Sequence, residues 1–194
     1  MEQIAARAGV GVGTLYRRFP CKESLVEELV RLVTVELAAA GEKALHGDDG
    51  TGLEAFLHEI GRSFTKHRHW VGLLLPGQPR TDSGAGTVRA QVARLFANAR
   101  RAGTLGSHAE LGDVMALIWG MRGLVATAGD VAPDAWERYL DIHLAGLRAA
   151  GAPSRARAIT AGQLRQLAEG TGAAGGSGAA SGPGSGSGSA ASSK

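Results

Sequence analysis

The chain has 194 residues, 44% hydrophobic and 20% charged, with a formal net charge of only +3. That length suits one compact domain, or a small and a medium one, and the low charge excludes a general polyanion-binding coat. A single cysteine, Cys21, excludes an internal disulfide framework. With no secretory leader pattern and no run of eighteen apolar residues, the expectation is a cytoplasmic protein without a membrane partner.

Glu2 to Ala8 reads as a short helix with Ile4, Ala5 and Ala8 on one face. Gly9 ends it, because glycine takes positive φ without a Cβ clash. A second short helix follows three residues later and runs to Phe19, where Pro20 stops it. Two helices joined by a tight glycine turn form a helix-turn-helix, whose second helix can lie in a DNA major groove. Leu15 and Phe19, four apart, turn inward together, while Thr14, Arg17 and Arg18, with Tyr16 beside them, face the other way. Between Met1 and Lys22, the cations Arg7, Arg17, Arg18 and Lys22 face one anion, Glu2, a local charge of +3. Phosphate contacts need such cations, and a guanidinium is the commonest reader of guanine. The same residues also describe an ordinary helical hairpin with a solvated basic face.

The run IAARAGVGVGTLYRRFPCKESL, residues 4–25, resembles the DNA-binding motif of the TetR family of transcriptional repressors, in its usual form IA..AGVS.GTLY.YFP.KE.L. The resemblance implies an all-helical dimer with three N-terminal helices for DNA and a larger ligand-sensing domain behind them. By position it implies a DNA-binding set of Gly11, Val12, Gly13, Thr14, Tyr16, Arg17, Arg18 and Lys22. Of these, Gly13, Thr14, Tyr16 and Arg17 fall where the family meets base edges and phosphates, and Lys22 falls at a phosphate contact. Gly11 and Cys21 depart from the pattern, standing at helix N-caps where the family has Ser or Thr. Glycine costs roughly a few tenths of a kcal/mol there, whereas a thiol is a poor cap. The family's first helix, which would close over Ile4, Leu15 and Phe19, has no counterpart before Met1. A truncated chain is therefore expected, most simply through a wrongly assigned start codon.

From Lys22 to about Leu45 the apolar residues Leu25, Leu29, Leu32, Val33 and Leu37 recur at helical spacing, giving one long helix broken by Gly47 to Gly52. Thr51 with Glu54 reads as a capping box, opening a helix with Leu53, Phe56, Leu57, Ile60 and Phe64 inward. It ends in Lys66-His67-Arg68-His69-Trp70. The His-x-His pair invites a metal, but no third ligand lies at helical spacing, so neither a metal nor another cofactor is expected. An apolar run follows to Leu75, and residues 76–86, rich in Pro and Gly, read as a loop.

Thr87 to Ala102 is the next amphipathic helix, with Val88, Val92, Leu95, Phe96 and Ala99 on one face and Gly103 closing it. Ser107 and Glu110 read as a second capping box, opening a helix to about Ala128 that is apolar nearly all round. Such a helix needs cover on both sides, one cover being a partner subunit. Pro133 suits the first position of a last strong helix to Ala150, whose stripe is Trp136, Leu140, His143, Leu144 and Leu147. One weak helix, Thr160 to Ala168, is capped by Thr160 and Gln163. From Gly170 onward only Gly, Ala, Ser, one Thr, one Pro and a terminal Lys remain, a flexible tail.

The expected architecture is all-α. Residues 1–45 form the helix-turn-helix segment with its linker helix, 46–150 a helical regulatory and dimerisation bundle, and 151–194 a weakly structured, then disordered, tail. The expected function is a sequence-specific repressor on double-stranded DNA, released from its operator by a small hydrophobic effector and associated with the bacterial nucleoid while bound. The alternative is a helical dimerisation or interaction protein that has lost DNA binding with the first helix. An enzyme is not expected: there is no Gly-x-Ser-x-Gly, no phosphate-cradling glycine loop and no cysteine pair, and the carboxylates stand singly on helix faces. The effector pocket is expected among Phe64, Trp70, Leu74, Phe96, Met115 and Trp119, with Arg122 and His143 as its polar groups; the same residues also read as plain bundle core. The homodimer is expected to pair Gly120 and Gly123 with Leu140, Leu144 and Leu147. Those two glycines alternatively relieve crowding inside one subunit.

Overall fold

The computed structural model describes residues 1–71, 84–148 and 156–169. Among them every regular element is a helix: α1 (Glu2–Ala8), α2 (Val12–Arg18), α3 (Lys22–Leu45), α4 (Gly52–Lys66), α5 (Arg68–Val71), α6 (Ala85–Ala102), α7 (Leu111–Ala128), α8 (Ala135–Arg148) and α9 (Ala161–Glu169). Most of the loop expected at 76–86, including Leu74 just before it, and the tail from Gly170 lie outside the described residues.

The hydrophobic effect organises the bundle around α4. Its Leu53, Phe56, Leu57, Ile60 and Phe64 are all buried, the face the 3.6-residue spacing predicts. This helix packs against α3 and α6 on one side and α7 and α8 on the other. Each such side chain contributes roughly 1.5–3 kcal/mol by leaving water. Leu95 from α6, Val114 and Met121 from α7 and Leu140 from α8 complete the same core. Trp136 of α8 lies directly on Gly61, where a Cβ would overlap its ring.

The buried face of α3 keeps Val33 and Leu37 of the expected stripe but leaves Leu32 out. Val30, Val33, Thr34, Leu37 and Gly41 are inside, while Leu32 is 52% exposed. Adjacent helix positions differ by about 100°, so Val33 and Leu32 cannot share a face. Gly41 decides which side wins. Gln91 of α6 enters against it, donating from Nε2 to Ala38 O and Glu42 Oε1, both at 2.9 Å, and a Cβ at position 41 would collide with that amide.

Two cap assignments also move. Thr51 does not cap α4; its hydroxyl donates to Asp49 Oδ1 at 2.7 Å, and Glu54 pairs with Arg148. Asp48 does the work, with Oδ1 accepting from Gly50 N at 2.8 Å and Gly52 N at 2.9 Å and Oδ2 from Asn98 of α6 at 2.8 Å. Burial pushes the Asp48 carboxyl up, but those three donors outweigh it and hold it below its usual range. At α7 the cap lies three residues later than expected, with Asp113 Oδ2 accepting from Glu110 N at 2.9 Å. The Thr160–Gln163 cap forms as expected, with Gln163 N donating to Thr160 Oγ1 at 3.2 Å and Thr160 N to Gln163 Oε1 at 2.9 Å.

By length and composition α7 would suffice to cross a membrane, at mean hydropathy 1.3 over 18 residues, although it is not an unbroken apolar run. It holds Asp113 and Arg122, and packs against α4, α5, α8 and α9 in the bundle. The last strong helix starts at Ala135, two residues after Pro133.

Candidate nucleic-acid interface

The first two helices form a hairpin through backbone chemistry. Gly9 takes φ 67, and Val10 N donates to Ala5 O at 3.0 Å. This six-to-one closure satisfies an orphan carbonyl and needs a left-handed residue at that place. Gly11 is extended (φ −65, ψ 138) and caps α2, with its carbonyl accepting from Thr14 N at 3.0 Å and Leu15 N at 3.1 Å. Phe19 is extended, as the residue before Pro20 must be, and its N–H still closes on Leu15 O at 2.8 Å.

Only Ala5 and Leu15 are buried in this hairpin. Ile4 is 39% exposed and Ala8 is also exposed, so the inward face expected for α1 reduces to Ala5 alone. Phe19 is half-buried. The outer face of α2 is open: Gly11, Val12, Gly13, Thr14, Tyr16, Arg17 and Arg18 are all exposed. No atom lies within 4 Å of where a Gly13 Cβ would stand, which leaves the backbone free for close approach by a phosphate.

The three cations at this end are not equivalent. Arg17 makes no hydrogen bond or ion pair among the described residues. Arg18 lies 5.8 Å from the Phe19 ring centroid and close enough to Glu28 for its charge to act there. The Glu28 carboxyl is held below its usual range by the Arg31 guanidinium first, and in smaller part by Arg18. Arg18 is thus drawn toward its own subunit. Lys22 stands exposed at the first position of α3. Cys21 precedes it at the N-cap, and Ser24 supplies the hydroxyl, accepting from Cys21 N at 3.3 Å and donating to Cys21 O at 2.8 Å. The serine compensates for the poor thiol cap.

A short helix, a left-handed turn and a second helix with an exposed basic, hydroxyl-bearing face define a helix-turn-helix DNA-binding protein. Residues 1–29 match the family model described as bacterial regulatory proteins, tetR family. The first 29 residues are therefore similar to the DNA-binding segment of that family of regulators. No curated protein matches the chain.

The residues expected to line an effector pocket separate in the structure. Phe64 and Met115 are buried in the main core, and Trp70, Phe96 and Trp119 pack half-buried against it. His143 does not face the interior: it is exposed, with Nδ1 2.7 Å from Tyr139 O and its ring 4.0 Å from the Tyr139 ring. A His-to-Tyr contact four residues apart on an outer helix face satisfies the imidazole without any pocket. Arg122 is half-buried, and desolvation pulls its guanidinium below its usual range. A cavity of about 310 Å³ lies elsewhere, between the start of α4 and the ends of α6 and α8. It is lined by Leu53, Ala99 and Leu144 with Thr104, Glu54 and Arg148 among its polar groups, and by none of the expected pocket residues.

The expected dimer patch is likewise corrected. Leu140, Leu144 and Leu147 point into their own subunit, Leu144 being 2% exposed. Gly120 faces the Tyr139 hydroxyl, where a Cβ would clash, so it serves packing within one subunit. Gly123 is exposed with open space before it. Sequence spacing identified the α8 stripe but not its direction, and the exposed apolar residue on that helix is Ile142, at 56%.

Proposed function

We propose that this protein is a transcriptional repressor that sits on a near-palindromic operator as a homodimer in the cytoplasm and leaves it when a small apolar effector enters the bundle of residues 46–150. The observation that carries the reading is the outer face of α2: Thr14, Tyr16 and Arg17 stand exposed with no side-chain partner among the described residues, a few residues from Lys22. Thr14, Tyr16 and Arg17 meet base edges and phosphates, Gly11, Val12 and Gly13 allow close approach, and Arg18 and Lys22 take phosphates. Two copies related by a two-fold axis would read half-sites about 34–36 Å apart, one DNA turn. The dimer axis runs beside the exposed faces of α7 and α8, at Gly123 and Ile142, not through the buried leucines. An effector favouring one conformer of the bundle would change the separation of the two α2 helices and lower affinity.

Selection from a random duplex library, followed by gel-shift titration, tests the reading. A palindromic consensus should emerge, with affinity falling steeply as salt rises. Failure of any sequence to outcompete random DNA would sink it.

A further inference from the structure

We propose that Arg122 is the anchor of a binding site for an apolar monocarboxylate, a fatty or aryl-alkyl acid. The inference deepens the sensing role proposed above for the bundle and rests on it. Arg122 lies in the middle of α7, the most apolar of the long helices among the described residues. At helical spacing it shares a stripe with Leu111, Met115 and Ile118 on one side and Gly129 on the other. Met115 is buried, and Leu111 and Ile118 pack against the main core. Gly129 meets the side chain of Arg68, so this stripe runs under α5.

A cation in such surroundings calls for a counter-charge, and the described residues supply none. Arg122 is half-buried and makes no hydrogen bond or ion pair among them. The only acid within α7 is Asp113, engaged at the Glu110 cap; α5 has no acid at all. The acid just beyond α7, Asp130, is taken by Arg68 at 2.8 Å. Desolvation is the sole influence on the guanidinium, with no carboxylate opposing it. Even on the bundle surface Arg62 pairs with Glu59, Arg68 with Asp130 and Arg148 with Glu54.

An unpaired, partly desolvated charge is costly unless something completes it. A carboxylate matches the planar fork of a guanidinium with two parallel hydrogen bonds. The partly buried neighbours Ile118 and Trp119 offer apolar contact for the remainder of the ligand. One fixed cation among apolar side chains selects a single negative charge on an apolar body. A phosphate dianion or a polar sugar acid would leave charge or hydroxyls unmet.

The test uses the full chain without DNA and three probes of one length: octanoate, octanol and octylamine. Binding is read by tryptophan fluorescence, Trp119 lying one turn from Arg122, and by Tm. Octanoate should bind saturably and raise Tm, at least about ten-fold tighter than octanol, with octylamine weakest. Arg122→Gln should bring octanoate to the level of octanol. Equal binding of acid and alcohol, unchanged octanoate binding by Arg122→Gln, or no saturable signal with octanoate would each overturn the inference. The comparison of probes on the unaltered chain decides the matter even if the variant folds poorly. Because no operator is present, the two readings fail separately. Octanoate that binds without releasing operator preserves this site and removes the effector role; operator release that ignores the carboxylate does the reverse.

Discussion

The hairpin α1–α2 and the helix α4 are built on opposite principles. In α4 one whole face is inside, and the identity of each inward residue matters through its volume. In the hairpin only Ala5 and Leu15 are inside, and the residues on the outer face of α2 stand in solvent. A core tolerates any apolar set at the right spacing, so its sequence shows only a period. A recognition surface requires particular donors at particular positions, so its sequence reads as a motif.

The largest effect expected on that contrast is in the core. Trp136→Ala should cost about 3–5 kcal/mol of folding stability in urea titration, since its ring fills the space over Gly61 and meets His58 at 6.1 Å between centroids. Leu144→Arg should unfold the subunit by burying an unpaired charge, rather than split a folded dimer; a folded monomer by light scattering would return Leu144 to the interface.

Arg17→Ala works on the other side of the contrast. It should weaken specific operator binding by about 1–3 kcal/mol while leaving stability within about 0.5 kcal/mol of the unaltered chain. Lys22→Ala should weaken all sequences alike and lower the salt slope by about one unit. A common loss for both variants, with the same change in slope, would make Arg17 a phosphate anchor only.

Asp48→Ala lies between the two regions in size and should cost about 0.5–2 kcal/mol, as loss of an N-cap does. Thr51→Ala should cost much less, because the threonine does not cap.

The smallest effect concerns His67, at the C-terminal end of α4, whose Nε2 lies 3.9 Å from Glu36 in the middle of α3. Burial, then Lys66, lowers its pKa, and Glu36 pulls the other way without prevailing. The unfolded chain therefore takes up the proton first as pH falls, so this residue's contribution is full above the ordinary histidine range and is lost as pH drops through it. Tm measured from pH 8 downward should fall less in His67→Gln than in the unaltered chain; identical slopes would remove His67 from the account.

The sequence made the helices legible because their apolar residues repeat at 3.6 and because Gly9, Pro20, Gly47 and Gly103 punctuate them. The buried face of α4 and the bounds of α3 follow from that pattern. What the pattern could not supply was direction. Leu32 and Leu37 both fit a helical stripe, and only the entry of Gln91 at Gly41 shows which side is inside. Leu140, Leu144 and Leu147 form a correct stripe whether it faces a partner or its own core. The Thr51–Glu54 pair has the spacing of a capping box, yet Asp48 has one more residue of reach and a second partner in Asn98. For the recognition face the motif sufficed to locate it, but not to show that Arg18 is drawn back toward Phe19 and Glu28.

The grip of Gln91, from α6, on the backbone of α3 has a mechanical meaning. From Gly41 to Lys22 the helix is unbroken, a rod of about 28 Å at 1.5 Å per residue. With its far end held at Ala38 and Glu42, a tilt of about 5° there would swing Lys22 by about 2.5 Å, comparable to a hydrogen-bond length. Α small rearrangement of α6 is thus magnified along a lever before it reaches the end that carries the hairpin.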